Sequence, residues 1–138
     1  MFKLITAALF SLVLSVTSVH AGPSKKIFAG KYDGITSLEN VKGDTMFYSP
    51  VRMKITKEGV ITGTAYRDAT GKVYKVKGKI GKVKSLFGIR FLGKATGTFS
   101  DGTKWSAEVE ANKGVSAKII RGKGKNGAFS GTVSLTNL

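Results

Sequence analysis

Glycine interrupts this chain every few residues, and between the glycines apolar and polar side chains alternate one by one. All 18 glycines fall after Ala21, about twice the ordinary frequency for a chain of that length. A glycine inside a helix is worth about 1 kcal/mol less than alanine, so this density excludes long helices. Alternation with period two gives one apolar and one wet face, the pattern of a half-buried strand. From Lys104 to Ala111, Trp105, Ala107, Val109 and Ala111 point one way, and Lys104, Ser106, Glu108 and Glu110 the other, on the solvent side. Val51, Met53 and Ile55 alternate with Arg52, Lys54 and Thr56. Phe129, Val133 and Leu135 share a parity with Gly131 against Ser130, Thr132 and Ser134.

Strands are expected at 26–34, 46–56, 60–67, 72–80, 86–99 (with a bend or split at Gly93), 104–112, 115–121 and 127–136, with 36–45 as a polar loop. Asp101-Gly102 predicts a tight type I′ hairpin turn, which needs positive φ at both central positions. Lys57-Glu58-Gly59, Asp68-Ala69-Thr70-Gly71 and Asn112-Lys113-Gly114 read as short connections of the same kind. The expected fold class is all-β: an antiparallel meander of about eight short strands forming a small barrel or a strongly twisted two-layer sheet.

Residues 1–21 read as a secretory signal peptide, with Lys3, an apolar stretch from Leu4 to Leu14, and a cleavage site at Val19-His20-Ala21. Residues 22–138 then form a single β domain, exported to a periplasmic or extracellular compartment. There is no cysteine, and the only histidine, His20, lies in the leader. The mature chain therefore lacks the residues of a Ser-His-Asp or Cys-His catalytic site, a thiol redox centre, or a typical zinc or haem site. No cofactor is expected. No segment after the leader reads as a transmembrane helix, and without disulfides the fold must rest on core packing and backbone pairing.

An internal echo joins three segments. Gly59-Val60-Ile61-Thr62-Gly63-Thr64, Gly93-Lys94-Ala95-Thr96-Gly97-Thr98 and Gly127-Ala128-Phe129-Ser130-Gly131-Thr132 share the pattern G-x-x-[TS]-G-T and start 34 residues apart. Residues i and i+4 of a strand share a face, so each pair of glycines leaves a gap for a neighbouring aromatic or a place for the sheet to bend. Trp105, facing Gly97 or Gly131, is one candidate to fill such a gap. The echo reads as architecture, not as a ligand motif.

The formal charge is +15 at pH 7. Between Ala69 and Ser100 stand Lys72, Lys75, Lys77, Lys79, Lys82, Lys84, Arg90 and Lys94, with no acidic residue among them. In an extended strand Lys75, Lys77 and Lys79 project from one face, and Lys82 and Lys84 join them if the chain bends at Gly81. Like charges held this close repel, and an anionic partner relieves the repulsion. These eight are the candidate anion-binding residues, for an anionic polymer or a membrane surface. The competing reading is a solvated face that blunts strand edges and keeps the domain soluble. Sequence-specific nucleic acid is not expected, because arginine is scarce and the tyrosines form no RNA-binding aromatic run.

Other motifs carry less. Glu108 and Glu110 share a face, so a carboxylate-dependent hydrolase is a weaker alternative. Asp68 and Asp101 read as turn residues, since no D-x-[DN]-x-[DN]-G calcium loop surrounds either, and the glycine-lysine stretch from Gly122 to Gly127 lacks the G-K-[ST] of a phosphate loop. Gly30-Lys31-Tyr32 resembles the G-x-W that opens lipocalin-type barrels, with tyrosine for tryptophan; no other motif of that family follows, and no family is assigned. Thr136, Ser134 and Thr132 stand where a lipid-facing outer-membrane strand needs apolar residues. The main functional expectation is an exported, non-catalytic binding or envelope-associated protein with a cationic surface. The alternative is a small-molecule carrier that holds an apolar ligand inside the barrel.

Overall fold

Eight antiparallel strands close into a barrel, each paired with its neighbours in the chain and the last with the first. The structure, a computed structural model, describes residues 24–111, 115–124 and 127–138. Residues 1–21, read above as a leader, and Asn112-Lys113-Gly114, read as a connection, lie outside the described residues. A short 3₁₀ helix, η1 (Lys25–Phe28), leads into β1 (Gly30–Asn40), β2 (Thr45–Ile55), β3 (Val60–Arg67), β4 (Lys72–Leu86), β5 (Arg90–Phe99), β6 (Lys104–Ala111), β7 (Val115–Gly124) and β8 (Gly127–Asn137). The β1–β8 ladder, from Tyr32 opposite Asn137 to Asn40 opposite Phe129, closes the ring. Closure removes the exposed strand edges that an open sheet would present.

The expected alternation fills the interior. Val51, Ile55, Ile61, Ala65, Val76, Ile80, Ala95, Ala107, Val109 and Leu135 are buried. Curvature comes from glycines and bulges, the two devices that bend a sheet without breaking its ladder. Gly63, Gly97 and Gly131, the second glycines of the echo, lie within β3, β5 and β8. A Cβ at each would strike a carbonyl of the adjacent strand, of Arg52, Lys77 and Ser37 respectively, and then the side chains of Met53, Trp105 and Leu38. Only glycine permits this approach. The echo is thus a device for bending strands and seating large side chains over them.

Four local expectations are corrected. Residues 25–28 are helical, not strand, and residues 36–40 belong to β1, not to a loop. In β1 the outward Ile35 is exposed while Thr36 is buried, its hydroxyl donating to the Thr132 carbonyl at 2.8 Å. Hydropathy and exposure are inverted there, so the alternation points the wrong way. β4 runs on to Leu86, and the hairpin turn falls at Phe87-Gly88-Ile89, before β5, which carries Gly93 in its interior. The Asp101 turn is not type I′: only Gly102 takes positive φ (87°), and the Asp101 carboxylate accepts from the Thr103 N–H at 2.9 Å.

The two ends of the barrel differ. η1 tucks Phe28, wholly buried, into the end where β1 starts and β8 finishes. The Tyr32 hydroxyl fastens it there, donating to the Phe28 carbonyl at 2.7 Å. The opposite end, where β2, β4 and β8 begin, is open.

Candidate functional site

The open end holds a cavity of about 370 Å³, rimmed by Asn40, Lys72, Asp101 and Thr103, with Tyr48, Tyr74, Phe99 and Phe129 among its walls. That volume falls within the range of about 300–1,000 Å³ usual for small-molecule sites, and barrel mouths are a preferred place for them. Below it lies an interior space of about 80 Å³, whose walls include Met53, Ile61, Ala95, Trp105, Val109 and Val133. Leu38 and Phe99 border both, so the mouth and the apolar interior adjoin.

Aromatic rings line both spaces. Tyr48 and Tyr74 meet edge to face at 5.8 Å between centroids. Phe99 lies 6.4 Å from both Trp105 and Phe129, forming a chain of rings from the rim downward. Trp105 faces inward, as expected, over Gly97 and also over Gly78, where an added Cβ would come within 2.8 Å of the indole. Gly131 is filled by Leu38 instead.

Two buried donors on these walls lack partners among the described residues: the Nε of Arg67 in the mouth and the Nε1 of Trp105 in the interior. Arg67 and Lys72 bring two positive charges to the rim. Asp101 brings one negative charge, with one oxygen already engaged by Thr103. Burial pushes the Tyr48 phenol up from its ordinary range; the Arg67 charge pulls it part of the way back, and Tyr74 and Asp101 raise it again. Tyr48 is therefore a neutral phenol at pH 7. The mouth can accommodate an apolar or aromatic body and pair a negative or acceptor group with Arg67.

The candidate anion-binding residues divide into three groups. Lys72 has the inward parity of Tyr74 and Val76 and lines the mouth. Lys75, Lys77 and Lys79 are exposed on the outer face of β4; a bulge between Ile80 and Val83 shifts the parity so that Lys82 and Lys84 are exposed on that face too. Arg90 is held by Glu110 through two hydrogen bonds of 2.7 and 3.1 Å, which with the carboxylate's charge raise its pKa further. Lys94 stands directly across the ladder from Glu108. The sheet thus supplies, for Arg90 and Lys94, acids that are absent from their own stretch of sequence. Glu110 was expected on the solvent face; it has the outward parity but is buried, 8% exposed, beneath Arg90 and beside Leu92. Tyr48, Arg67 and Tyr74 carry no signal as a site in the sequence, since they sit far apart and meet only when β2, β3 and β4 start or end at one rim.

The fold and the site define a small up-and-down β-barrel, plugged at one end and open at the other. The sequence matches no protein-family model and no curated protein. A solved structure described as the de novo design of a fluorescence-activating β-barrel is similar, with a TM-score of 0.52 and 17% identity over 80% of this chain and 94% of the designed one. At that identity the likeness concerns the fold alone. Among the described residues no helix is long and apolar enough to cross a membrane, and no cluster of His, Cys, Asp and Glu could hold a metal ion.

Proposed function

We propose that this chain is an exported, non-catalytic carrier that holds an amphipathic small molecule in the open end of its barrel. The carrying observation is the aromatic-walled cavity at the open end, which adjoins an apolar interior space and has Arg67 and Lys72 among its lining residues. The apolar part of the ligand lies along Phe99 and toward Trp105, and its acidic group pairs with Arg67. The solved barrel of similar fold is described as a fluorescence-activating design, and its likeness supports the closed-barrel architecture that this reading needs.

Two probes that share an aromatic body test the reading. N-phenyl-1-naphthylamine is neutral, and 8-anilinonaphthalene-1-sulfonate adds an anionic group. Both should bind saturably at one per chain and perturb the emission of Trp105, the only tryptophan. Arg67→Gln should weaken the sulfonate about tenfold or more while leaving the neutral probe unchanged, because a hydrogen bond to a charged group is worth about 1.5–3 kcal/mol. Absence of saturable binding of either probe would refute the carrier reading. Equal loss of both probes would remove the acidic group from it.

A further inference from the structure

The β4–β5 hairpin ends in an apolar tip that the fold leaves in the open. Leu86 is 37% exposed, Phe87 95% and Ile89 72%. Phe87 and Gly88 take positive φ values of 55° and 68°, a conformation that a bulky side chain rarely adopts, and the Ile89 N–H closes the turn on the Leu86 carbonyl at 3.3 Å. The turn gives the Phe87 ring nothing to pack against. Three apolar side chains gathered at one tip differ from the scattered exposed hydrophobics of an ordinary surface.

Behind the tip the outer face of β4 is basic. Lys82 and Lys84 are nearest, and Lys79, Lys77 and Lys75 continue the row beyond the bulge. Their neighbours across the ladders do not neutralise them: Thr64 faces Lys75, Thr62 and Thr98 face Lys77, Val60 and Thr96 face Lys79, and Leu92 faces Lys84. The carboxylates of β6 are otherwise placed, Glu110 on Arg90 and Glu108 opposite Lys94, and the one acid of the β2–β3 turn, Glu58, follows Lys57 in the sequence.

We infer that this hairpin docks the protein on an anionic lipid bilayer. Phe87 and Ile89 enter the boundary between headgroups and acyl chains, Leu86 follows at the interface, and Lys82 and Lys84 lie against the phosphates. An apolar tip with a basic collar matches both layers of such a surface. A polyanion such as an acidic polysaccharide has no apolar layer, so the lysines alone would serve it and the tip would be unused. The mouth lies at the start of β4 and the tip beyond its end, so docking leaves the mouth on the aqueous side. The inference stands independently of the carrier reading.

Sedimentation with phosphatidylglycerol–phosphatidylcholine vesicles, with phosphatidylcholine vesicles alone, and retention on heparin together test it. The unaltered protein should bind the anionic vesicles and the neutral ones far less. Phe87→Ser combined with Ile89→Ser should weaken vesicle binding about tenfold or more, given the apolar area withdrawn, with heparin retention unchanged. Lys82→Gln combined with Lys84→Gln should weaken both. Because the chain has no cysteine, Phe87→Cys accepts a single environment-sensitive fluorophore, which should shift to the blue on anionic vesicles. The same label at Phe47→Cys, on β2, should not shift. Heparin retention without vesicle binding would make a polyanion the partner and overturn the inference. So would vesicle binding that survives the serine changes, or a label at position 87 that does not respond.

Discussion

At Gly97 a neighbouring carbonyl and an indole ring leave no room for a methyl group. Gly97→Ala should therefore destabilise the protein by about 1–3 kcal/mol through overpacking, read as a lower urea midpoint. At Gly81 the nearest atom to an added Cβ is the Lys94 carbonyl oxygen at 3.4 Å, an ordinary contact. Gly81→Ala should be neutral or gain up to about 1 kcal/mol by restricting the unfolded chain. The inward face of Trp105 was readable from alternation and from glycine placement, both local properties. Its second glycine, Gly78, was not, because that contact joins β4 to β6 across β5. Tyr32 adds a pH dependence. Burial raises its phenol pKa above the ordinary value near 10. Above that pH the unfolded chain ionises while the folded one resists, so stability present below about pH 10 is lost as pH rises through the folded pKa. Alkaline unfolding curves should show this fall, and Tyr32→Phe should flatten part of it; Tyr48, also raised by burial, supplies another part.

Among the elements, β2, β3, β6 and β8 matched their expected spans closely because most of their apolar residues share the inward parity, Phe47 and Val60 being exposed exceptions. β1 did not, since Ile35 points out and Thr36 in, and a reading based on hydropathy cannot anticipate a buried hydroxyl satisfied by a strand about a hundred residues away. The Phe87-Gly88-Ile89 turn was missed because two of its three residues are apolar and none is the Asn or Asp that usually marks a tight turn. η1 was hidden for a different reason: Phe28 reads equally well as a strand residue and as the plug it proves to be. Phe28→Ala should cost about 3–5 kcal/mol, since the ring is fully enclosed and the barrel end cannot collapse around the space. Thermal or urea unfolding measures the loss. The variant should keep its affinity for N-phenyl-1-naphthylamine where it is folded, because the plug and the mouth are at opposite ends.

For the molecule as a whole, the charge of +15 was plain in the sequence, but its distribution was not. Closing the barrel placed Lys72 at the mouth, gave Arg90 to Glu110, and left the lysines of β4 on the outer face. If residues 1–21 are a leader, intact mass from the native host should correspond to a chain beginning at Gly22; a retained Met1 would refute export by cleavage. The carrier reading concerns where a ligand sits, and Trp105, as the only tryptophan, gives a single indole N–H signal in a nitrogen–proton correlation spectrum. Titrating the protein with 8-anilinonaphthalene-1-sulfonate should move that signal together with the amides of Tyr48, Arg67 and Phe99, and leave those of Lys75, Lys77 and Lys79 in place. Shifts confined to the β4 lysines, with the Trp105 indole unmoved, would contradict the account.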